Sequence, residues 1–197
     1  MPVLYYVRHG ETDFNVEQRL QGRYDTGLNV HGRHQAARCG AILRDLFALD
    51  DRSVGDLVYV SSPLKRARET MKIVRSTLGL NPEVFDLDDR LTEISYGSWE
   101  GLTLPEIQIR DPDALARREH DKWDFAPPGG ESYREVASRV GAWCATVMRD
   151  TVVTAHGGVA RALMANLRIM PEEEATHAEI LHGVVYVFAG GTMARYA

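Results

Sequence analysis

Val3-Leu4-Tyr5-Tyr6-Val7-Arg8-His9-Gly10-Glu11-Thr12 is the stretch that decides the fold. The apolar run Val3 to Val7 reads as a short buried strand. It leads directly into a cation, an imidazole and a glycine. The strand fixes the backbone, the Gly10 turn leaves room for a ligand, and Arg8 and His9 sit at the strand's carboxyl end. Open α/β sheets bind ligands at that edge. Arginine beside histidine suggests a phosphate, because a guanidinium holds two phosphate oxygens bidentately.

Beyond this stretch the chain alternates strand and helix. Glu11 to Leu28 is irregular and polar, and Asn29 is a natural helix cap. His31 to Ala48 places Ala36, Ala37, Gly40, Ile42, Leu43, Leu46 and Phe47 on roughly one side of a helix. Leu57 to Val60 is a second strand, running into Ser61-Ser62-Pro63. The proline suits the first turn of a helix over Leu64 to Leu78, which Gly79 closes. Val84 to Leu87 is extended. Leu91 to Asp124 is less regular, with a charged helical patch from Asp113 to Lys122, and Pro127-Pro128-Gly129-Gly130 breaks the chain. A helix then starts at Glu131 or Ser132 and runs to about Arg149. Thr151 to Ala155 is a strand, His156-Gly157-Gly158 a turn, and Val159 to Leu167 a helix. Val184 to Ala189 and Met193 to Tyr196, joined by Gly190-Gly191, form a terminal hairpin. No repeat or long linker divides the chain. The expectation is one α/β domain over residues 1–197, with a lid inserted at about 102–131.

Composition excludes little. Hydrophobic residues at 44% and charged residues at 26% are ordinary for a globular protein. The net charge of -5 argues against a nucleic-acid partner, which favours a basic excess. It leaves an anionic substrate open, since a local arginine cluster governs the field in a cleft. No apolar run approaches the ~20 residues needed to cross a membrane, and no signal peptide is expected. Cys39 and Cys144 form no CxxC pair and read as small buried hydrophobes, in keeping with a cytoplasmic protein. His31 and His34 lie three apart on a helix without an acidic or cysteine partner, so a metal pair is not expected. His120, His177 and His182 have no evident partner.

The chemistry-bearing residues follow strands. Arg8 and His9 follow the first, Arg66 lies on the first turn of the helix after the second, and His156 follows the Thr151 to Ala155 strand. If those strands are parallel neighbours, two arginines and two histidines converge at one edge of the sheet. A helix amino terminus beside either histidine adds N–H donors for an anion.

This arrangement resembles the histidine phosphatase superfamily, the phosphoglycerate mutase-like proteins. The resemblance runs through Arg8-His9-Gly10-Glu11-Thr12, Asn15, Gln21-Gly22, Ser62-Pro63-Leu64-Lys65-Arg66-Ala67-Arg68-Glu69-Thr70, Leu91-Thr92-Glu93, Gly97-Ser98-Trp99-Glu100-Gly101 and His156-Gly157-Gly158. It implies a three-layer sandwich with a mostly parallel central sheet. It further implies that His9 is the nucleophile that becomes phosphohistidine, that Arg8, Arg66 and His156 grip the phosphoryl group, and that Glu93 is the general acid and base. Asn15, Gln21, Gly22 and Gly157 are implied contacts near the phosphate or the rest of the substrate. No metal or other cofactor is implied. Two arginines supply two fixed charges, and a protonated His156 would supply a third.

The substrate expected is a small phosphorylated metabolite, and the expected reaction is phosphomonoester hydrolysis. A cofactor-dependent phosphoglycerate mutase is the alternative, and a non-catalytic phospho-ligand module a weaker one. Mutases similar to this chain carry a lysine shortly after the Glu-Gly pair, where Leu102-Thr103-Leu104-Pro105 stands here. They also carry a polar residue after the His-Gly turn, where this chain has Gly158. Tyr96 and the Arg117-Arg118 pair lean the other way. Trp99 is expected beneath the Glu93 loop, Trp123 in the lid core, and Phe125 and Tyr133 either in that core or on the cleft wall. The Val184 to Ala189 strand is either an edge that pairs in a homodimer or one covered by the hairpin.

Overall fold

The computed structural model describes residues 2–197. Six strands form one sheet: β1 (Leu4–Arg8), β2 (Val58–Ser61), β3 (Asp86–Leu87), β4 (Thr151–Ala155), β5 (Val185–Ala189) and β6 (Thr192–Tyr196). Their order across the sheet is β3-β2-β4-β1-β5-β6. The pairs β3–β2, β2–β4 and β4–β1 are parallel, and β1–β5 and β5–β6 are antiparallel.

Helices cover both faces. β1 reads as a continuous apolar run because both of its faces are buried. Tyr5 and Val7 pack with Cys39, Leu43 and Phe47 of α2 (Val30–Leu49) and Met71 and Val74 of α3 (Lys65–Thr77). Leu4 and Tyr6 pack on the opposite face with Val136 and Val140 of α6 (Tyr133–Cys144) and Leu163 of α7 (Gly157–Asn166). The result is the expected three-layer α/β sandwich with a mostly parallel sheet.

Local chemistry explains most boundaries. Asn29 caps α2 by accepting from Gly32 N at 2.8 Å. Leu64 cannot cap α3, so Asp25 Oδ1 accepts from Lys65 N across the site mouth. Pro63 lies just ahead of this cap and not in the first turn. Gly79 ends α3 at φ +75°, the left-handed region glycine favours. α6 stops at Cys144, five residues before the expected Arg149. Thr146 Oγ1 donates to Trp143 O at 2.6 Å and so competes with the helical ladder. α7 starts at Gly157, two residues earlier than expected, so its first turn abuts His156 directly. Three short helices escaped the pattern: α1 (Asp13–Val16), α4 (Leu104–Arg110) and α8 (Glu172–His177).

Within residues 102–131 lie α4 (Leu104–Arg110) and α5 (Pro112–His120). Ile107, Ala114 and Leu115 pack there on Trp99, which stacks on Phe125 at 5.7 Å. The terminal hairpin forms as expected. It places β6 on the outer side of β5, so β5 is interior and offers no edge for pairing with a second copy.

Candidate active site

The three parallel strands end at one level. Arg8 is opposite Ala155, and Ser61 opposite Thr154. The ladder continues one step beyond, with His9 N donating to Ala155 O and Ser62 N to Thr154 O, both at 2.9 Å. His9, Ser62 and His156 are therefore held at one sheet edge by backbone geometry before any side chain contributes.

The His9 and His156 rings face each other with centroids 5.1 Å apart. His9 Nδ1 donates to Gly10 O at 2.8 Å, which fixes the tautomer and leaves Nε2 as the lone-pair nitrogen, turned toward Arg66. Burial first, then the charge of Arg66, holds His9 well below the ordinary histidine value, so it is neutral near pH 7. Gly10 is obligatory here: a Cβ on it would strike the backbone of Gly32 in the first turn of α2.

Arg66 is fully buried, unlike the exposed Lys65 beside it. Its Nε donates toward His9 Nε2 at 3.3 Å, while its two Nη groups bind Gly22 O and Tyr24 O, each at 2.7 Å. Burial lowers Arg66 to about 10, and it stays charged at neutral pH. Arg8 is anchored by Ile180 O at 2.5 Å, and its buried Nε has no partner among the described residues.

His156 Nε2 lies 2.7 Å from Ser62 Oγ, which already accepts from Leu64 N at 3.3 Å. The Ser62 hydroxyl proton is thus free to donate to Nε2, which puts the imidazole proton on Nδ1. That Nδ1 is buried and also without a partner among the described residues. Burial first, then Arg66 and Arg8, pushes His156 well below the ordinary value. The expectation of a protonated His156 is corrected: desolvation beside two guanidiniums makes it a neutral donor. A third guanidinium, that of Arg161, lies near Arg8 at the Gly157 turn.

Glu93 approaches from the loop that precedes α4. Its Oε1 accepts from Gly158 N in the first turn of α7 at 3.0 Å and from Ile94 N at 2.9 Å. A Cβ on Gly158 would collide with that carboxylate and with Ile94. The Glu93 loop is tied down by Glu131, which accepts from Ser95 N and pairs with Arg139.

The remaining expected residues spread around this centre. Gly157 opens α7 beside the Arg8 and Arg161 guanidiniums. Gly22, at φ +52°, presents its carbonyl to Arg66. Asn15 closes a capping box with Thr12, and Gln21 donates to the same threonine's Oγ1. Those two side chains brace the loop after β1 and do not reach the imidazoles through any hydrogen bond described. Trp123 is core, stacked on Tyr133. Tyr133 is both core and site wall, since its hydroxyl meets Arg161.

Two residues escaped the sequence reading. Arg161 lies four residues after Gly157, so it shares that residue's helix face, a signal the pattern did contain. His182 donates from Nδ1 to His9 O at 2.6 Å, with its ring 5.5 Å from the His9 ring. The β1–β5 register, Val7 opposite Val185, carries His182 to that place. Among the described residues, no three His, Cys, Asp or Glu side chains cluster as a metal ligand set.

The profile of the histidine phosphatase superfamily (branch 1) matches residues 4–191. The chain belongs to the histidine phosphatase superfamily. It is 37% identical over 182 residues to a glucosyl-3-phosphoglycerate phosphatase of Mycobacterium tuberculosis, covering 85% of this chain and 76% of that one. An α-ribazole phosphatase structure from Shigella flexneri superposes with a TM-score of 0.80 at 26% identity, over 97% of this chain and 93% of that chain. A 2,3-bisphosphoglycerate-dependent phosphoglycerate mutase of Azorhizobium caulinodans is 33% identical over 193 residues, 91% of either chain. With phosphatases of the superfamily on both the sequence and the structural side, phosphoric monoester hydrolysis is the supported activity and mutase the weaker alternative. No helix among the described residues is long and apolar enough to cross a membrane.

Proposed function

We propose that this chain hydrolyses a small phosphorylated metabolite through a phosphohistidine on His9, as one domain whose lid spans about residues 102–131. The observation that carries this reading is the unprotonated Nε2 of His9, held neutral and facing Arg66 and His156. Phosphoryl transfer asks mainly for positioning and for charge on the equatorial oxygens. Arg8 Nε and His156 Nδ1, two buried nitrogens without partners, would bind those oxygens together with Arg66.

In the first half-reaction His9 Nε2 attacks phosphorus as the P–O bond to the leaving group breaks. Glu93, in its acid form, protonates the leaving oxygen. In the second half, water attacks the phosphoramidate, Glu93 takes the water's proton, and the P–N bond breaks to release inorganic phosphate. Asn15, Gln21 and Gly22 support the phosphate from the loop side, and Gly157 lets the backbone approach it. No metal or cofactor enters these steps.

The mutase alternative is favoured by the Azorhizobium relative. Against it stands Gly158, where any side chain would displace Glu93 from its amide donors. A cytoplasmic setting is consistent with Cys39 and Cys144 both being free thiols.

Acid-labile phosphate should appear on His9 in enzyme quenched during turnover of p-nitrophenyl phosphate, and phosphate release should greatly exceed interconversion of 3- and 2-phosphoglycerate. Undiminished turnover by His9→Ala would sink the nucleophile assignment, and dominant interconversion would favour the mutase.

A further inference from the structure

We propose that His182 is a positioning residue for the phosphoryl transfer: by holding the His9–Gly10 peptide, it sets the direction of the His9 ring. The proposal rests on the reading of His9 as nucleophile for its catalytic meaning, and one arm of its test does not depend on turnover.

The sheet stops holding β1 just where the chemistry begins. Its register with β5 ends at Val7 opposite Val185, and its last bond toward β4 runs from His9 N to Ala155 O. Beyond that point both polar groups of the His9–Gly10 peptide are met by side chains. His182 Nδ1 donates to His9 O at 2.6 Å, and Gly10 N donates to Thr70 Oγ1 at 3.0 Å. Thr70 gives its own proton to Arg66 O at 2.8 Å, so toward Gly10 it can only accept. A carbonyl accepts and never donates, so His182 Nδ1 carries a proton. Burial first, then the charge of Arg8, lowers His182 to about 4, which makes it a neutral donor at pH 7.

The next peptide carries the ring. His9 Nδ1 donates to Gly10 O, and Glu11 N of that same peptide donates to Gln35 Oε1 at 2.8 Å. Gln35 lies on α2, and the turn that bears His182 closes over it: a Cβ on Gly183 would sit 3.3 Å from Gln35 Cγ. Leu181 N donates to the Tyr186 hydroxyl at 2.7 Å, which ties the turn to β5. Ile180 O accepts from Arg8. A stretch of three residues, Ile180 to His182, therefore holds Arg8 and His9 together from a single anchored turn.

His9 is buried, so its carbonyl has little water to turn to once the His182 donor is gone. A buried carbonyl without a donor reorients until it finds one. The ring follows, because the acceptor of its Nδ1 sits on the adjoining peptide. Such a tilt takes Nε2 off the line of attack on phosphorus. Misplacing a reacting atom by about 1 Å costs on the order of 10^2-fold in rate. The groups proposed to grip the phosphoryl oxygens, on Arg8, Arg66 and His156, are untouched by that tilt, so the loss falls on kcat and not on KM.

Three substitutions separate positioning from mere support. His182→Ala removes the donor, His182→Leu removes it while keeping a branched side chain, and His182→Asn offers an amide N–H in place of Nδ1. In the first two, kcat for p-nitrophenyl phosphate and for phenyl phosphate should fall equally, by about 10- to 100-fold, with KM moved by less than about three-fold. The equal loss marks a defect in the attacking atom, since a defect in the acid weighs on the poorer leaving group. His182→Asn should return kcat to within about three-fold of wild type. The second arm is proton NMR of the resting enzyme. The downfield His9 Nδ1–H signal, identified by its absence in His9→Ala, should persist in His182→Asn and broaden or shift in the other two. The proposal is overturned if folded His182→Ala or His182→Leu keeps kcat or leaves that signal unmoved, or if asparagine rescues neither. It is equally overturned if circular dichroism shows both variants unfolded, which would make His182 a structural residue. Loss of the nucleophile reading looks different: wild type would form no phosphohistidine, while the NMR response to His182→Ala would remain.

Discussion

The strand ends that carry His9, Ser62 and His156 are locked at one level by ladder hydrogen bonds, whereas the segment from Leu102 to Glu131 builds a small core of its own. In the first region Arg66, Ser62 and His156 have no exposed surface at all. In the second, Leu104 and Ile109 face solvent. The contrast separates two tasks. Transfer of a phosphoryl group tolerates little misplacement, so its residues come from the most constrained backbone in the molecule. Recognition of the rest of a substrate can be left to an attached layer that varies without disturbing the sheet.

Substitutions on either side of this divide test it. The largest effect should come from His9→Ala, with turnover of aryl and alkyl phosphates falling at least about 10^4-fold while the melting temperature is kept or raised. Loss of folding together with activity would blur the division. Glu93→Gln should slow alkyl esters by about 10^2- to 10^3-fold and activated aryl esters much less, because a good leaving group needs no proton. Equal slowing of both would take Glu93 out of the acid role.

Across the divide, Ile107→Ala should cost about 2–3 kcal/mol, judged by denaturant melts, through the cavity left beneath the lid. It should raise KM more than it lowers kcat for p-nitrophenyl phosphate. A kcat loss as large as that of Glu93→Gln would mean that lid and pocket act as one body.

A smaller effect concerns acid. His9, His156 and His182 all titrate below the ordinary 6.5 in the folded chain, His182 at about 4, chiefly because each is buried. Above pH 6.5 these groups are neutral folded or unfolded and contribute nothing. Below it the unfolded chain takes up protons that the fold refuses, so stability falls as pH falls. Each histidine adds about 1.4 kcal/mol per pH unit to that slope. His182→Asn should remove one such increment between about pH 6 and pH 4 in phosphate-free buffer. An unchanged slope would show that the His182 ring does not resist protonation.

The sheet and its chemistry were legible in the sequence for a physical reason. A strand buried on both faces has to read Leu4-Tyr5-Tyr6-Val7, and residues that follow parallel strands have to meet at one edge. Asn29 and Gly79 marked helix ends because capping and left-handed backbone demand particular side chains. What stayed hidden depends on partners distant in the chain. His182 acquires its place only through the antiparallel pairing of β5 with β1, and the neutrality of His156 follows from burial that no local pattern records. The shorter α6 turned on one hydroxyl, that of Thr146, choosing a nearby carbonyl. Arg161 was within reach of helical spacing from Gly157, yet a lone arginine on an apolar helix carries little signal until its neighbours are known.

The segment from Arg19 to Tyr24 spans the two regions. Leu20 exchanges backbone hydrogen bonds with Gly101 and Leu102 at the root of the lid, at 2.7 and 2.9 Å. Two residues further on, Gly22 and then Tyr24 supply the carbonyls that clamp Arg66. The guanidinium is thus moored to a strap whose other end is sewn into the roof. A roof that tilts over a bulky guest must either break those stitches or drag the mooring with it, so the size of the guest is felt at the atom that steadies its phosphorus.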